Sequence, residues 1–437
     1  MTWEPASTTP GAFKLPFAIL IALAFIPRAL VLVFTRPYFQ PDSSGYQALA
    51  HAFLHGDFAG YDGIRTPGYP LFLALFANND EVTRIAQLLI GVAITGLLFF
   101  IALRLTGRPW AAFVAGALYG FNLQQVLTES TILSETLATG LLVVAVWLLS
   151  RPLVGRSSYP RAQLIALGLV CAALALTRPV FVFVPIVALC AVLPVLRRRL
   201  VVVLAVLVPS VVLLCAWSMF NWYQIGQFTP STITGPTLLT HSLTLVPDAS
   251  NKYADFRDAY LEMRKQQPGV EPSEWALANT VSEETNRSLP RVCEEMTPLA
   301  VSLIASHPAH YAGTFAKAAA WFWKGAGRGG MPWRTASGPL SLAWLGQKLL
   351  LFIACGMLFL LTALLTALCL LRRDRPGTRV RRAWCSIGLL VIVSCVVQAL
   401  TQYGSNARYG VPLQPLWGLA VVVWVSLWID GRRRPIG

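Results

Sequence analysis

The residues of this chain best suited to chemistry are charged side chains set in or beside long apolar stretches. Asp42 directly follows the first apolar stretch, in PDSSGY. Asp62 and Arg65 come later in the same loop, which ends in RTPGYP (65–70). Glu129 and Glu135 bracket a turn in TESTILSETLAT, Arg178 sits in ALTRPVF, and Arg408 and Tyr409 sit in SNARYGVPLQP. Arg28 lies inside the first apolar stretch. Ionisable groups in apolar surroundings are costly and usually functional. A carboxylate can take the proton of an attacking hydroxyl. Guanidinium groups bind phosphate with charge-assisted, often bidentate hydrogen bonds. These types together point to chemistry at a phosphate beside an activated hydroxyl.

Each residue also has a plainer reading. Asp42 and Ser43 are good helix N-caps. Glu135 could pair with an arginine only to lower its cost of burial. Arg28 could snorkel or form a salt bridge within a helix bundle. Arg65 could touch lipid headgroups. His51 and His55, four apart with Asp57 nearby, could in principle hold a metal, but no third ligand has clear spacing and a solvated helix face fits better. Tyr46, Tyr69 and the many Trp fit interfacial anchors.

The elements that must position these groups are apolar helices. The chain is 55% hydrophobic and 13% charged, with mean hydropathy +0.59, which places it among polytopic membrane proteins. Ten apolar spans are expected, at 13–35, 85–104, 109–127, 132–150, 162–177, 179–196, 200–221, 346–371, 383–402 and 410–429. All approach the ~20 residues needed to cross ~30 Å of hydrocarbon, although 162–177 is short. Eighteen basic residues, from Lys14 through the Arg372–Arg382 run to Arg434, fall on one side against Glu4, Asp374 and Asp430. The whole +15 excess therefore lies on one face. The positive-inside rule makes that face cytoplasmic, with both termini inside, and makes the basic clusters topological anchors rather than a nucleic-acid surface. The first span, with basic flanks and no small-residue cleavage site, reads as an uncleaved anchor.

Most of the candidate residues then belong to the outer side. The first outer loop, 36–84, holds an amphipathic helix: Tyr46, Leu49, Ala50, Phe53 and Leu54 form one apolar face, and Gly56 closes it. Such a helix would lie in the interface plane. A second short helix is expected over Pro67–Phe76. The larger outer segment, 222–345, has soluble-type helical patterns broken at Pro268, Pro272 and Pro290, an aromatic amphipathic stretch at 308–324, and a glycine-rich stretch at 325–338 that fits no nucleotide-binding spacing. The expected organisation is a transmembrane module over 1–221, an outer-face segment over 222–345 and a second transmembrane module over 346–437. The eight cysteines form no CxxC pair, and Cys293 is alone in the large outer segment, so neither a zinc nor a redox motif is supported. No internal repeat or broken helix is visible, which argues against a transporter of inverted-repeat design.

Five local patterns, in order and on one side, resemble the GT-C class of integral-membrane glycosyltransferases, in particular the group containing protein O-mannosyltransferases and lipid A aminoarabinose transferases. They are Asp42-Ser-Ser-Gly-Tyr46, Arg65-Thr-Pro-Gly-Tyr-Pro70, Leu133-Ser-Glu135-Thr-Leu137, Leu176-Thr-Arg178-Pro179 and Arg408-Tyr409-Gly-Val-Pro412. A weaker sixth is Asn221 to Gly226. The resemblance spans residues 15–430 and implies an all-α fold.

It also implies transfer of a single sugar, a hexose or a pentose, from a polyprenyl-phosphate donor to an acceptor hydroxyl on the outer face of the membrane; the high Arg-to-Lys usage points to a bacterial cytoplasmic membrane. Asp42 maps to the catalytic base. Arg65, Arg178, Arg408 and Tyr409 map to the phosphate site. Tyr46, Tyr69, Glu129, Glu135, Arg28 and Asn221 are supporting candidates. No cofactor is obligatory; a divalent metal, used by some members, is optional, and no metal ligand is assigned. One departure matters: protein O-mannosyltransferases have an Asp-Glu pair where this chain has Asp42-Ser43. That argues against protein mannosylation and leaves a lipid, protein or polysaccharide acceptor open. The rival readings are a transporter or flippase for a lipid-linked sugar, and a glycan polymerase or ligase.

Overall fold

The computed structural model describes residues 11–154, 160–193, 199–324 and 379–432, with a few positions between 346 and 360. The expected span at 346–371 is therefore described only at those few positions, and the glycine-rich stretch at 325–338 lies outside the described residues. The fold is all-α. Among the described residues there is no strand, only one isolated parallel bridge between Tyr38 and Thr131.

The helices run, in chain order, α1 (Lys14–Phe34), α2 (Pro41–His55), α3 (Gly68–Ala74), α4 (Asp80–Thr106), α5 (Pro109–Gly120), α6 (Leu123–Glu129), α7 (Glu135–Val154), α8 (Arg161–Thr177), α9 (Val184–Val192) and α10 (Arg199–Ile225). They continue with α11 (Thr234–Leu239), α12 (Ala254–Gln266), α13 (Glu274–Thr285), α14 (Leu289–Ser306), α15 (Pro308–Lys324), α16 (Arg379–Thr401), α17 (Asn406–Tyr409) and α18 (Gln414–Arg432). Segments Lys14–Phe34, Asp80–Thr106, Arg199–Ile225 and Asn406–Ser426 are long and apolar enough to cross a membrane. Shorter apolar helices cover Glu135–Ser150, Arg161–Thr177, Pro179–Ala191 and Ser386–Thr401.

Two expectations are corrected. The stretch 109–127 is not one helix. It breaks after Gly120, because the Asn122 side chain accepts from the amides of Gln124 and Gln125 and so starts α6 afresh. Nor does Asp42 cap α2. The helix begins at Pro41, with Gln40, two residues before Asp42, at the cap position. The Gln40 amide donates to Ser43 Oγ (2.9 Å), and Ser43 Oγ donates to the Ile132 carbonyl (2.8 Å). The plainer reading of Asp42 therefore fails, and its carboxylate is available for other partners. Gly56 closes α2 in the left-handed conformation at φ 70°, as its place in the sequence implies.

The apolar core of the bundle is formed by residues such as Leu98 and Phe99 of α4, Leu142 of α7, Leu167 of α8 and Leu416 of α18, all fully buried. Ala111, Ala112, Ala115 and Gly116 let α5 lie close against α1 and α4, as small residues do where backbones approach. A second core, with Phe256, Tyr260, Leu277, Val281, Met296 and Leu299, joins α12, α13 and α14.

A buried ion pair, separate from the main charge cluster, ties α1 to α6. Arg28 Nη2 donates to Glu129 Oε1 at 2.7 Å, and Arg28 Nη1 donates to the carbonyls of Ala24 and Gly120. Tyr119 Oη also donates to Glu129 Oε1. Both side chains are at most 3% exposed. Removing one partner of a buried pair leaves an uncompensated charge and costs about 3–5 kcal/mol, whereas an apolar pair of similar volume is often neutral. Arg28→Met alone is therefore expected to lower the thermal midpoint of the purified protein sharply. The double variant Arg28→Met/Glu129→Leu should recover most of that loss.

Candidate active site

Five chain segments converge at one end of the bundle, the fifth being Asn406–Tyr409 with Arg408. The Tyr38–Thr131 bridge, with Tyr38 N–H donating to the Ser130 carbonyl (3.1 Å) and Ile132 N–H to the Tyr38 carbonyl (2.9 Å), fixes the approach to α2 against the α6–α7 turn. The RTPGYP segment closes on the end of α8, where a Cβ on Gly68 would fall 2.8 Å from both the Leu176 carbonyl oxygen and the Thr177 nitrogen. Only glycine allows that approach. α8 stops at Thr177. Arg178 is extended (φ −144°, ψ 110°), and Pro179 opens a 3-10 turn. A residue before proline avoids the helical conformation, so the sequence itself places the Arg178 side chain at a chain break.

These segments bring together a continuous run of charges. Asp42 Oδ1 accepts from Arg65 Nη2 (2.8 Å) and Asp42 Oδ2 from Arg408 Nη1 (2.7 Å). Arg408 Nε also donates to Glu135 Oε1 (2.6 Å), and Arg178 Nη1 lies 3.0 Å from the same oxygen. The order is therefore Arg65–Asp42–Arg408–Glu135–Arg178. Arg65 lies over the Tyr46 ring (4.8 Å) and Arg178 over the Tyr409 ring (4.9 Å), contacts that hold guanidinium planes in place. Gly45 makes room for Arg65: a Cβ there would stand 3.0 Å from Arg65 Nε.

Burial would push the Asp42 carboxyl up, but the charges of Arg408 and Arg65 and their hydrogen bonds outweigh it and hold the group at about 2. Asp62 goes the other way, raised by burial, while its Oδ1 caps the Ile64 amide (2.9 Å).

Two cavities share this wall. The first, about 250 Å³, is lined by Asp42, Tyr46, Arg65, Arg178, Arg408 and Tyr409, by Thr66, Thr177, Thr234, Thr237 and Thr401, and by the apolar Val180, Val182, Ile233 and Val397. Arg65 Nε and Gln398 Oε1, both from its lining residues, have no hydrogen-bond partner among the described residues. The second, about 510 Å³, is lined by Asp42, Glu135, Arg408 and Tyr409 together with Thr128, Thr131, Ser405, Glu274 and Trp275. Asp42 and Arg408 thus face both spaces.

Of the sequence candidates, Asp42, Arg65, Arg178, Arg408, Tyr409, Tyr46 and Glu135 come together. Others do not. Tyr69 is fully buried; its ring meets Tyr46 edge-on (5.0 Å) and its hydroxyl donates to Gln87 (2.8 Å). Asn221 accepts from the Tyr61 hydroxyl (2.8 Å) and donates to the Thr229 carbonyl (2.6 Å), which fastens the chain after α10. Glu129 and Arg28 form the separate pair described above. The rings of His51 and His55 pack on each other (4.2 Å), and no group of three metal-ligating side chains occurs among the described residues.

Sequence reasoning missed Gln87, whose Nε2 donates to the carbonyls of Glu129 (2.9 Å) and Thr131 (2.8 Å) and so shapes the α6–α7 turn. It also missed Glu274 and Trp275. The only local signal there was Ser273, whose Oγ accepts from the Ala276 amide and starts α13.

No family model and no curated protein matches the chain. Among solved structures, it is similar to ArnT from Cupriavidus metallidurans bound to undecaprenyl phosphate: 15% identity over 90% of this chain and 77% of that one, TM-score 0.34. It is also similar to the oligosaccharyltransferase AglB from Archaeoglobus fulgidus in complex with an inhibitory peptide and a dolichol-phosphate: 13% identity over 96% of this chain and 51% of that one, TM-score 0.49. The chain thus spans about half the length of AglB. At these scores the likenesses carry no argument about activity, which rests on the residues themselves.

Proposed function

We propose that the protein is a membrane glycosyltransferase that moves a single sugar from a polyprenyl-phosphate donor to an acceptor hydroxyl, with Asp42 as base. The observation that carries this reading is the position of Asp42: one carboxylate, clamped by two arginines, on the wall shared by two cavities. The first cavity offers Arg65, Arg178 and Arg408 to a phosphate and valine and isoleucine side chains to the adjoining prenyl chain. The second admits the acceptor. In the reaction, Asp42 takes the proton of the acceptor hydroxyl, whose oxygen attacks the anomeric carbon. The bond from that carbon to the phosphate oxygen breaks, and the polyprenyl phosphate leaves with the electron pair. Fixed guanidinium groups stabilise the charge that grows on the leaving phosphate.

The clamp adds a feature to the mechanism. A carboxylate held near 2 is a weak base. A phosphate that draws Arg65 and Arg408 towards itself loosens their hold on Asp42, so its pKa rises and it becomes a stronger base once the donor is bound. The sign is fixed: a carboxyl depressed in the free enzyme stays ionised down to about 2, and one relieved of its cations protonates at higher pH. The acid limb of kcat is therefore expected at higher pH than the acid limb of kcat/KM. Coincident limbs would remove the coupling.

The charge distribution supports a site that faces the outside with both termini cytoplasmic, and the Arg-rich composition supports a bacterial inner membrane. The test is transfer of radiolabelled sugar from a panel of polyprenyl-phosphate monosaccharides by the purified protein, with membrane extract as acceptor source. Turnover or donor hydrolysis supports the enzyme. Tight binding of one donor without turnover would favour a transporter, and transfer only from oligosaccharide donors would favour a polymerase or ligase.

A further inference from the structure

The second cavity has chemistry of its own. Glu274 and Trp275 form the first turn of α13, whose start is fixed by the Ser273 cap. They meet Asp42, Glu135 and Arg408 across about 510 Å³, within the ~300–1,000 Å³ typical of small-molecule sites. Glu135 is 1% exposed, and its Oε2 has no hydrogen-bond partner among the described residues. Glu274 has no cationic partner among the described residues; its carboxyl is raised first by burial and then by the charge of Asp42.

The lining is therefore mixed in sign. A phosphorylated acceptor entering it meets the carboxylates of Glu274 and Asp42, while Arg408 is already paired with Asp42 and Glu135. Like charges brought together across such a cavity repel. A neutral polyol escapes that repulsion. Its hydroxyls can donate to the Glu274 carboxylate and accept from arginine, and its flat apolar face fits an indole, a large apolar surface with little conformational freedom to lose. We infer that the second cavity is a binding site for a neutral carbohydrate acceptor, with Trp275 as its platform and Glu274 as the group that accepts from its hydroxyls. The inference rests on the proposed glycosyl transfer and narrows its acceptor to a glycan terminus.

The test is saturation-transfer NMR on the full-length protein in nanodiscs. The probes are a panel of neutral methyl glycosides, glucose 1-phosphate, and a serine-containing basic peptide, with undecaprenyl phosphate binding measured in parallel. At least one neutral glycoside is expected to bind. Trp275→Ala should weaken that binding at least tenfold, Trp275→Phe less, and Glu274→Gln several-fold. Undecaprenyl phosphate binding should be unchanged in all three, which also shows that the variants fold. Glucose 1-phosphate should bind at least tenfold more weakly than methyl glucoside. Equal glycoside binding in Trp275→Ala, phosphate-sugar binding as tight as the neutral sugar, or Trp275-dependent binding of the peptide alone would each overturn the acceptor assignment. If undecaprenyl phosphate fails to bind the unaltered protein, the donor reading falls instead, and the Trp275 dependence of glycoside binding still decides the acceptor.

Discussion

Asp42→Asn is expected to reduce sugar transfer by at least 10²–10⁴-fold in kcat, the usual contribution of a positioned general base, while the donor still binds. Asparagine keeps the shape, and its single amide oxygen can still accept from Arg65 or from Arg408, but it cannot take a proton. It also removes the negative charge that now occupies two of the three arginines, so phosphate affinity should hold or rise. Single-turnover rates beside equilibrium donor binding separate the two effects. Transfer within tenfold of the unaltered enzyme would remove Asp42 as the base.

Arg408→Ala is expected to have the second large effect, through three losses at once. Arg408 donates to Asp42 and to Glu135 with different nitrogens of one guanidinium plane. Truncation leaves the buried Glu135 with Arg178 as its remaining ion-pair partner, removes a phosphate contact, and frees Asp42 from its alignment. A hydrogen bond to a charged group contributes about 1.5–3 kcal/mol, so donor affinity should fall at least tenfold, transfer should fall further, and the thermal midpoint should drop. Arg408→Lys keeps the charge but not the planar fork; it should rescue the midpoint more than the rate. Donor affinity and turnover unchanged in Arg408→Ala would exclude Arg408 from the site.

Much of the charge cluster was legible in the sequence, for a physical reason. In a chain that is 55% hydrophobic, an ionisable side chain beside an apolar stretch costs free energy unless it is paired. Asp42, Arg65, Glu135, Arg178 and Arg408 each carry that signal. Pro179 and Gly68 mark the places where the backbone must turn or approach closely. Glu129 and Arg28 carry the same signal with the same strength, and nothing local says that they pair with each other and stand apart from the rest. Tyr69 and Asn221 hold the backbone because of where Gln87 and Thr229 fall, and no spacing rule encodes that.

The sequence by itself determined the helical, apolar architecture, the break at Arg178, the closure of α2 at Gly56 and the set of charged residues that need partners. Periodicity, proline, glycine and the cost of an unpaired charge all act over a few residues, so they can be read locally. The tertiary structure decided which acid meets which arginine, that Gln40 rather than Asp42 heads α2, that Asn122 restarts a helix within 109–127, and that Glu274 and Trp275 line a cavity with Asp42 from more than two hundred residues away in the chain. Those outcomes depend on packing between distant segments, where a few ångströms decide whether two charges pair or a side chain lines a cavity.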